Sequence, residues 1–153
     1  MRNINEIIIH CSASYDNQDV HAIDINRMHI ARGFDKIGYH FFIRLDGTIE
    51  QGRKIDEIGA HCYGYNRNSI GICYAGGLKK VNGKTINADT RTPEQTRSLY
   101  QLVKILLYIY PDIDNVCGHN DYSNKSCPCF NVHDEFDLFL KQVREMQRQF
   151  DKP

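Results

Sequence analysis

The chain has 153 residues, about one domain on a prior of roughly 100–200 residues per domain, which leaves little room for a second module. Lys+Arg and Asp+Glu number 19 each, so the formal net charge is zero and the basic excess of a nucleic-acid binder is absent. With 41% hydrophobic and 25% charged residues the composition is that of a folded domain and excludes a disordered one; its unusual feature is six Cys and seven His.

No stretch reaches the roughly 18 consecutive apolar residues of a membrane span, so no membrane insertion is expected. Met1 to Glu6 lacks the apolar core of a signal peptide, which predicts synthesis in a cytoplasm without an export signal. In that compartment the cysteines are expected as reduced thiols, one or more of them on a metal, and not as a disulfide framework.

In chain order, Asn5 to Cys11 is a β-branched run without helical period and reads as a strand. Ala22 to Gly33 reads as a helix closed by Gly33. Gly38 to Leu45 is strand-like, and Asp46-Gly47 is a hairpin signal leading into Thr48 to Gln51. Ser69 to Tyr74 is another apolar strand, and residues 78–91, with Asn82-Gly83 inside, are a polar loop or small hairpin. Thr92-Pro93-Glu94-Gln95 is a capping box with Pro at the first helical position. Leu99, Leu102, Val103, Leu106, Leu107 and Tyr110 then form an apolar stripe, ended by Pro111. Ile113 to Cys117 reads as a return strand and Val132 to Phe150 as a last helix. Strands alternating with helices predict an α/β fold: one domain over residues 1–153, with a mixed central β-sheet flanked by helices.

Three clusters carry chemistry. His10-Cys11-Ser12 ends the first strand, Gly118-His119 follows the return strand, and Lys125-Ser126-Cys127-Pro128-Cys129 lies in the next loop. In open α/β sheets functional groups collect beyond the carboxyl ends of strands, where His10 and His119 fall if both strands run the same way. Two such imidazoles and a loop thiolate supply three ligands to a zinc with an open fourth position, the catalytic arrangement. The same residues also read as hydrogen-bonded imidazoles and small buried thiols. Cys127 and Cys129 also read as a redox pair, although one residue separates them where dithiol motifs have two. Spacing leaves these alternatives open.

Longer blocks carry a resemblance. His10-Cys11-Ser12-Ala13, Gly38-Tyr39-His40-Phe41, Asp46 to Arg53, Gly59 to Asn66, Asn68-Ser69-Ile70-Gly71, Gly118-His119 and Lys125-Ser126-Cys127-Pro128 occur in one order between about Ile4 and Phe130. Together they resemble the zinc-dependent N-acetylmuramoyl-L-alanine amidases, the phage lysozyme-amidases and related peptidoglycan-recognition proteins. The resemblance implies Zn2+ held by His10, His119 and Cys127, with Tyr39 and Lys125 as the catalytic residues. It places His61, Tyr65 and Asn66 along the substrate groove. His29 also matches a family position, but it shares a helical face with Ile25 and reads as packed. Cys129 stands where a small residue usually follows the Cys-Pro. Cys11, Cys62, Cys73 and Cys117 are expected as buried thiols, and His21, His40 and His133 as ordinary residues.

The activity so implied is zinc-dependent hydrolysis of the amide between N-acetylmuramic acid and L-alanine. Peptidoglycan or muropeptide fragments would be the partners of a monomer, with no nucleic acid. Such an enzyme acts on the wall after release, like an endolysin, or on recycled wall fragments. The alternative is a peptidoglycan-binding module without hydrolysis, as in relatives that have lost the zinc; the intact ligand positions and Tyr39 weigh against it.

Overall fold

A computed structural model describes residues 1–152. The elements are β1 (Glu6–Cys11), β2 (Ser14–Tyr15), α1 (Ala22–Ala31), β3 (Phe41–Ile43), β4 (Ile49–Gln51), β5 (Ser69–Tyr74), β6 (Gly77–Val81), β7 (Lys84–Asn87), α2 (Pro93–Ile109), β8 (Asn115–Gly118) and α3 (Val132–Phe150). Every residue of β1 and of β5 is buried. Burial on both faces marks parallel strands covered by helices on each side. β1 does pair in parallel with β5 and with β8. The five-stranded sheet runs β4-β3-β5-β1-β8, with only β4 antiparallel to its neighbour.

Strand alternation sorts the core into two layers. Ile7 and Ile9 of β1 pack on Leu99, Leu102, Val103 and Leu106 of α2 and on Val132, Phe136 and Val143 of α3. The intervening Ile8 faces the other way, against Cys62 and Cys117. Farther along that second face, Ile25 of α1 joins Ile37, Phe42 and Cys73. His10 shares the parity of Ile8. It therefore points away from α2 and α3, into the layer formed by α1 and the loops.

The capping box forms as the sequence predicts. The Thr92 hydroxyl accepts from Gln95 N–H at 3.0 Å, and the Gln95 side chain accepts from Thr92 N–H at 2.9 Å. Gly33 lies just past the Arg32 cap at φ +95°, where a left-handed backbone favours glycine.

Two strand starts differ from the sequence expectations by more than a residue. The strand expected from Gly38 begins at Phe41, because Gly38 lies under the turn at residues 59–61: a Cβ on it would be 2.1 Å from Ala60 O. The return strand begins at Asn115, because Ile113 closes a turn through its N–H to Tyr110 O at 3.2 Å. Of the loop and the hairpin expected over residues 78–91, the hairpin forms: β6, which begins one residue earlier at Gly77, pairs with β7, and Asn82 and Gly83 are both at positive φ. β2 pairs with β6 to give a separate three-stranded sheet. A two-residue strand carries no readable pattern.

Candidate active site

β1, β5 and β8 run the same way, so Cys11, Tyr74 and Gly118 end at one edge of the sheet. His10 and His119 occupy that edge, and the loop beyond β8 brings Cys127 back to it. One donor atom from each of His10, His119 and Cys127 lies within 4.8 Å of the other two. A tetrahedral zinc, with bonds of about 2.0–2.1 Å to nitrogen and 2.3 Å to sulfur, spaces its ligands roughly 3.3–3.6 Å apart. The three donors fit such an ion after small side-chain adjustments. No other group of three or more candidate ligands was found among the described residues.

The imidazoles suit the task because they are held neutral. Burial lowers the pKa of His10 well below its ordinary value, and the neighbouring His61 and His119 add to the effect. Burial also lowers His119, with the Lys125 charge pressing the same way. A neutral imidazole keeps the lone pair that a metal needs.

Behind His10 runs a buried chain of donors that fixes its tautomer. The Ser69 hydroxyl donates to Tyr65 O at 2.7 Å, so its oxygen is left to accept from His61 Nε2–H at 3.3 Å. His61 Nδ1 is then the acceptor for His10 Nε2–H at 2.9 Å. This order leaves His10 Nδ1 unprotonated, with its lone pair free. His61 packs closely against two glycines: a Cβ on Gly59 would be 2.5 Å from its ring, and one on Gly71 would be 2.6 Å away. The Gly-Ala-His and Ile-Gly pieces of the sequence blocks are therefore the packing that holds this imidazole.

A cavity of about 500 Å3 is lined by two of the three donor residues, His119 and Cys127, while the buried His10 is not part of its lining. Its lining includes Tyr39, His61, Asn66, His119, Lys125 and Cys127. Tyr39 lies with its ring centroid 5.1 Å from that of His10. Burial, then the thiols of Cys73, Cys127 and Cys11, raise its pKa well above the ordinary value. At neutral pH it is a phenol with a proton to donate. Lys125 is exposed at the rim.

The remaining expectations fall as follows. Asn66 lines the cavity, but its Oδ1 accepts from His61 N–H and Cys62 N–H at 2.8 and 2.9 Å, so it also shapes the turn. Tyr65 is not in the cavity lining; it stacks on Tyr122 with centroids 3.7 Å apart. Tyr63, almost fully exposed, takes the place at the rim. His29 is buried and its Nδ1 accepts from Gly38 N–H at 2.9 Å, yet its edge reaches the cavity.

His40 is buried, with Nδ1 accepting from Gly71 N–H at 3.0 Å and Nε2 2.9 Å from Glu57 O. Arg32 and Phe34 line the cavity without having been singled out in the sequence; the Gly33 turn after α1 carries them there. With Arg32 and Lys125 present and no carboxylate among the lining residues, the cavity is electropositive in a neutral chain.

The family model described as N-acetylmuramoyl-L-alanine amidase matches residues 1–130. The chain belongs to this amidase family. Similar proteins include the endolysin of Enterobacteria phage K11, 37% identical over 128 residues, covering 84% of this chain and 82% of that one. The endolysin of Escherichia phage T7 is 38% identical over 126 residues, 82% of this chain and 81% of that one. Among solved structures, N-acetylmuramoyl-L-alanine amidase LysC from Clostridium intestinale URNW superposes with a TM-score of 0.72 at 30% identity, covering 96% of this chain and 87% of that one. The mixed sheet with its flanking helices is thus the fold of the amidase family, and the matched segment contains every side chain of the cavity.

Proposed function

We propose that this chain is a zinc-dependent amidase that hydrolyses the bond between the lactyl group of N-acetylmuramic acid and L-alanine, in peptidoglycan or in muropeptide fragments. One observation carries the reading: His10, His119 and Cys127 converge on one point, and Tyr39 and Lys125 line the cavity above it. His10, through its free Nδ1, His119 and Cys127 would hold the metal. Zinc bound there supplies Lewis acidity and activates water near neutral pH.

The chain's own residues supply the rest. Hydrolysis of an amide puts negative charge on the carbonyl oxygen and needs a proton on the departing nitrogen. Lys125, at the rim, brings a positive charge to the developing oxyanion. Tyr39, held as a neutral phenol, orients the carbonyl or passes a proton toward the leaving amine. The Ser69–His61–His10 chain keeps the first ligand in one tautomer and one orientation, as partners behind metal ligands do. His61 and Asn66 form part of the groove wall, and Tyr65 supports it from behind through its carbonyl. The work fits one domain over residues 1–153 and an endolysin-like role at the cell wall after release from the cytoplasm.

Mass spectrometry of a defined muropeptide, before and after incubation with zinc-loaded protein, tests the reading. The expected products are the free stem peptide and a glycan with its muramic acid otherwise intact. A muropeptide that binds and stays whole would make the chain a recognition module instead.

A further inference from the structure

Two thiols outside the proposed ligand set face each other beside it. Cys11 is the last residue of β1, and Cys129 follows Cys127 by two; their Sγ atoms are 3.9 Å apart. The space they share exists because residue 77 is glycine. A Cβ there would lie 2.5 Å from Cys11 Sγ and 3.7 Å from Cys129 Sγ, and Gly77 O accepts from the Cys129 thiol at 3.6 Å. Cys129 is held in place by its backbone, at φ +72°, with its N–H donating to Ser126 O at 2.6 Å. That left-handed conformation favours glycine, and a cysteine adopts it at a cost. Both residues also frame Cys127, whose sulfur accepts from Cys11 N–H at 3.2 Å.

We propose that Cys11 and Cys129 close into a disulfide when the protein moves from a reducing to an oxidising compartment, stapling the loop that carries Cys127 to the end of β1. The compartment change rests on the wall-directed role proposed above; the thiol chemistry does not. A disulfide bond is about 2.05 Å long, so the two sulfurs approach by under 2 Å in total. The co-reactant is a low-molecular-weight disulfide. The half-buried Cys129 sulfur attacks it and releases one thiol, leaving a mixed disulfide on Cys129. The buried Cys11 sulfur, already 3.9 Å from Cys129 Sγ, then attacks it and releases the second thiol.

Two electrons pass from the cysteine pair to the co-reactant, and the two cysteine protons end on the two thiols released. Cys127 takes no part while it is bound to a metal. The cross-link spans 118 positions of sequence, and closing so long a loop restrains the unfolded chain strongly. The inside of a cell keeps such a pair open, and the space around the wall lets it close.

Zinc-equilibrated protein incubated overnight with oxidised glutathione at mildly alkaline pH, then denatured and alkylated, gives the test. The Cys129 sulfur is only partly exposed, so the exchange is slow and needs that time. The six alkylatable thiols should fall to four, peptide mapping should join the Cys11 and Cys129 peptides, and Tm should rise by several degrees. Cys129→Ser should keep its remaining thiols free and show no rise. Six free thiols in the wild type, a bridge that includes Cys127, or glutathione left on Cys129 alone would each overturn the proposal. None of these readouts depends on amidase activity, so failure of the staple and failure of the amidase reading are separable.

Discussion

His10 is one end of a relay in which each group has a single role left to it. Ser69 donates to a carbonyl, His61 donates to Ser69, and His10 donates to His61. Removing the middle member frees His10 to rotate and to change tautomer. His61→Ala should therefore weaken zinc binding by about 10–100-fold, the usual effect of losing a partner behind a ligand, read by competition with a chelating dye. Unchanged zinc affinity would show that His61 is only part of the groove wall. Lys125 separates the other way. It lies at the rim, outside the three candidate ligands, so in the proposed role Lys125→Ala should retain stoichiometric zinc while turnover falls on the order of 10²–10³-fold, the loss expected for one oxyanion-stabilising group. Reduced zinc content in that variant would place Lys125 in the metal site's support instead.

At the scale of elements, the site depends on a loop side chain that rests on a strand where the strand has no side chain of its own. Gly71 in β5 is where the His61 ring rests; its missing Cβ would stand 2.6 Å from that ring. Gly71→Ala should push His61 off His10, lowering Tm by several degrees and reducing zinc affinity in the direction of His61→Ala. If the alanine protein binds zinc as the wild type does, the packing account of the Ile-Gly block is wrong. The same elements show what sequence makes legible. α2 was readable in full because Thr92, Pro93 and Gln95 act within one turn and the Leu/Val stripe is periodic. β1 was readable because Ile7-Ile8-Ile9 is buried on both faces. β2 was not, since its two residues are strand only through pairing with β6, some sixty residues away. The grouping of His10, His119 and Cys127 was legible only as what the block resemblance implies, because the sequence does not fix the parallel direction of β1 and β8 that brings the two imidazoles to one edge. The inward hydrogen bonds of His61 and the exclusion of Tyr65 from the cavity lining depend on side-chain directions that no spacing encodes.

The whole molecule carries an acid sensitivity that follows from its buried imidazoles. His40 is fully buried, and burial, helped by the Arg2 charge, lowers its pKa to about 4. An unfolded chain takes up that proton near pH 6.5, whereas the folded protein does not until about pH 4. The stabilisation is therefore complete above about pH 6.5 and is lost as the pH falls toward 4, by roughly 2 kcal/mol for this group at pH 5. His10 and His61 shift in the same direction, while His133, raised first by its bond to Asp137, opposes them from the surface. Urea unfolding of metal-free protein should give a clearly lower free energy at pH 5 than at pH 7; a flat profile would contradict neutral buried histidines.

The central claim, one zinc held by His10, His119 and Cys127 at the point of hydrolysis, is tested most directly by zinc content and muropeptide cleavage measured together on wild type and Cys127→Ala. The wild type should carry one zinc per chain and release the stem peptide, and the variant should lose both. A Cys127→Ala protein with full zinc and full cleavage would contradict the account.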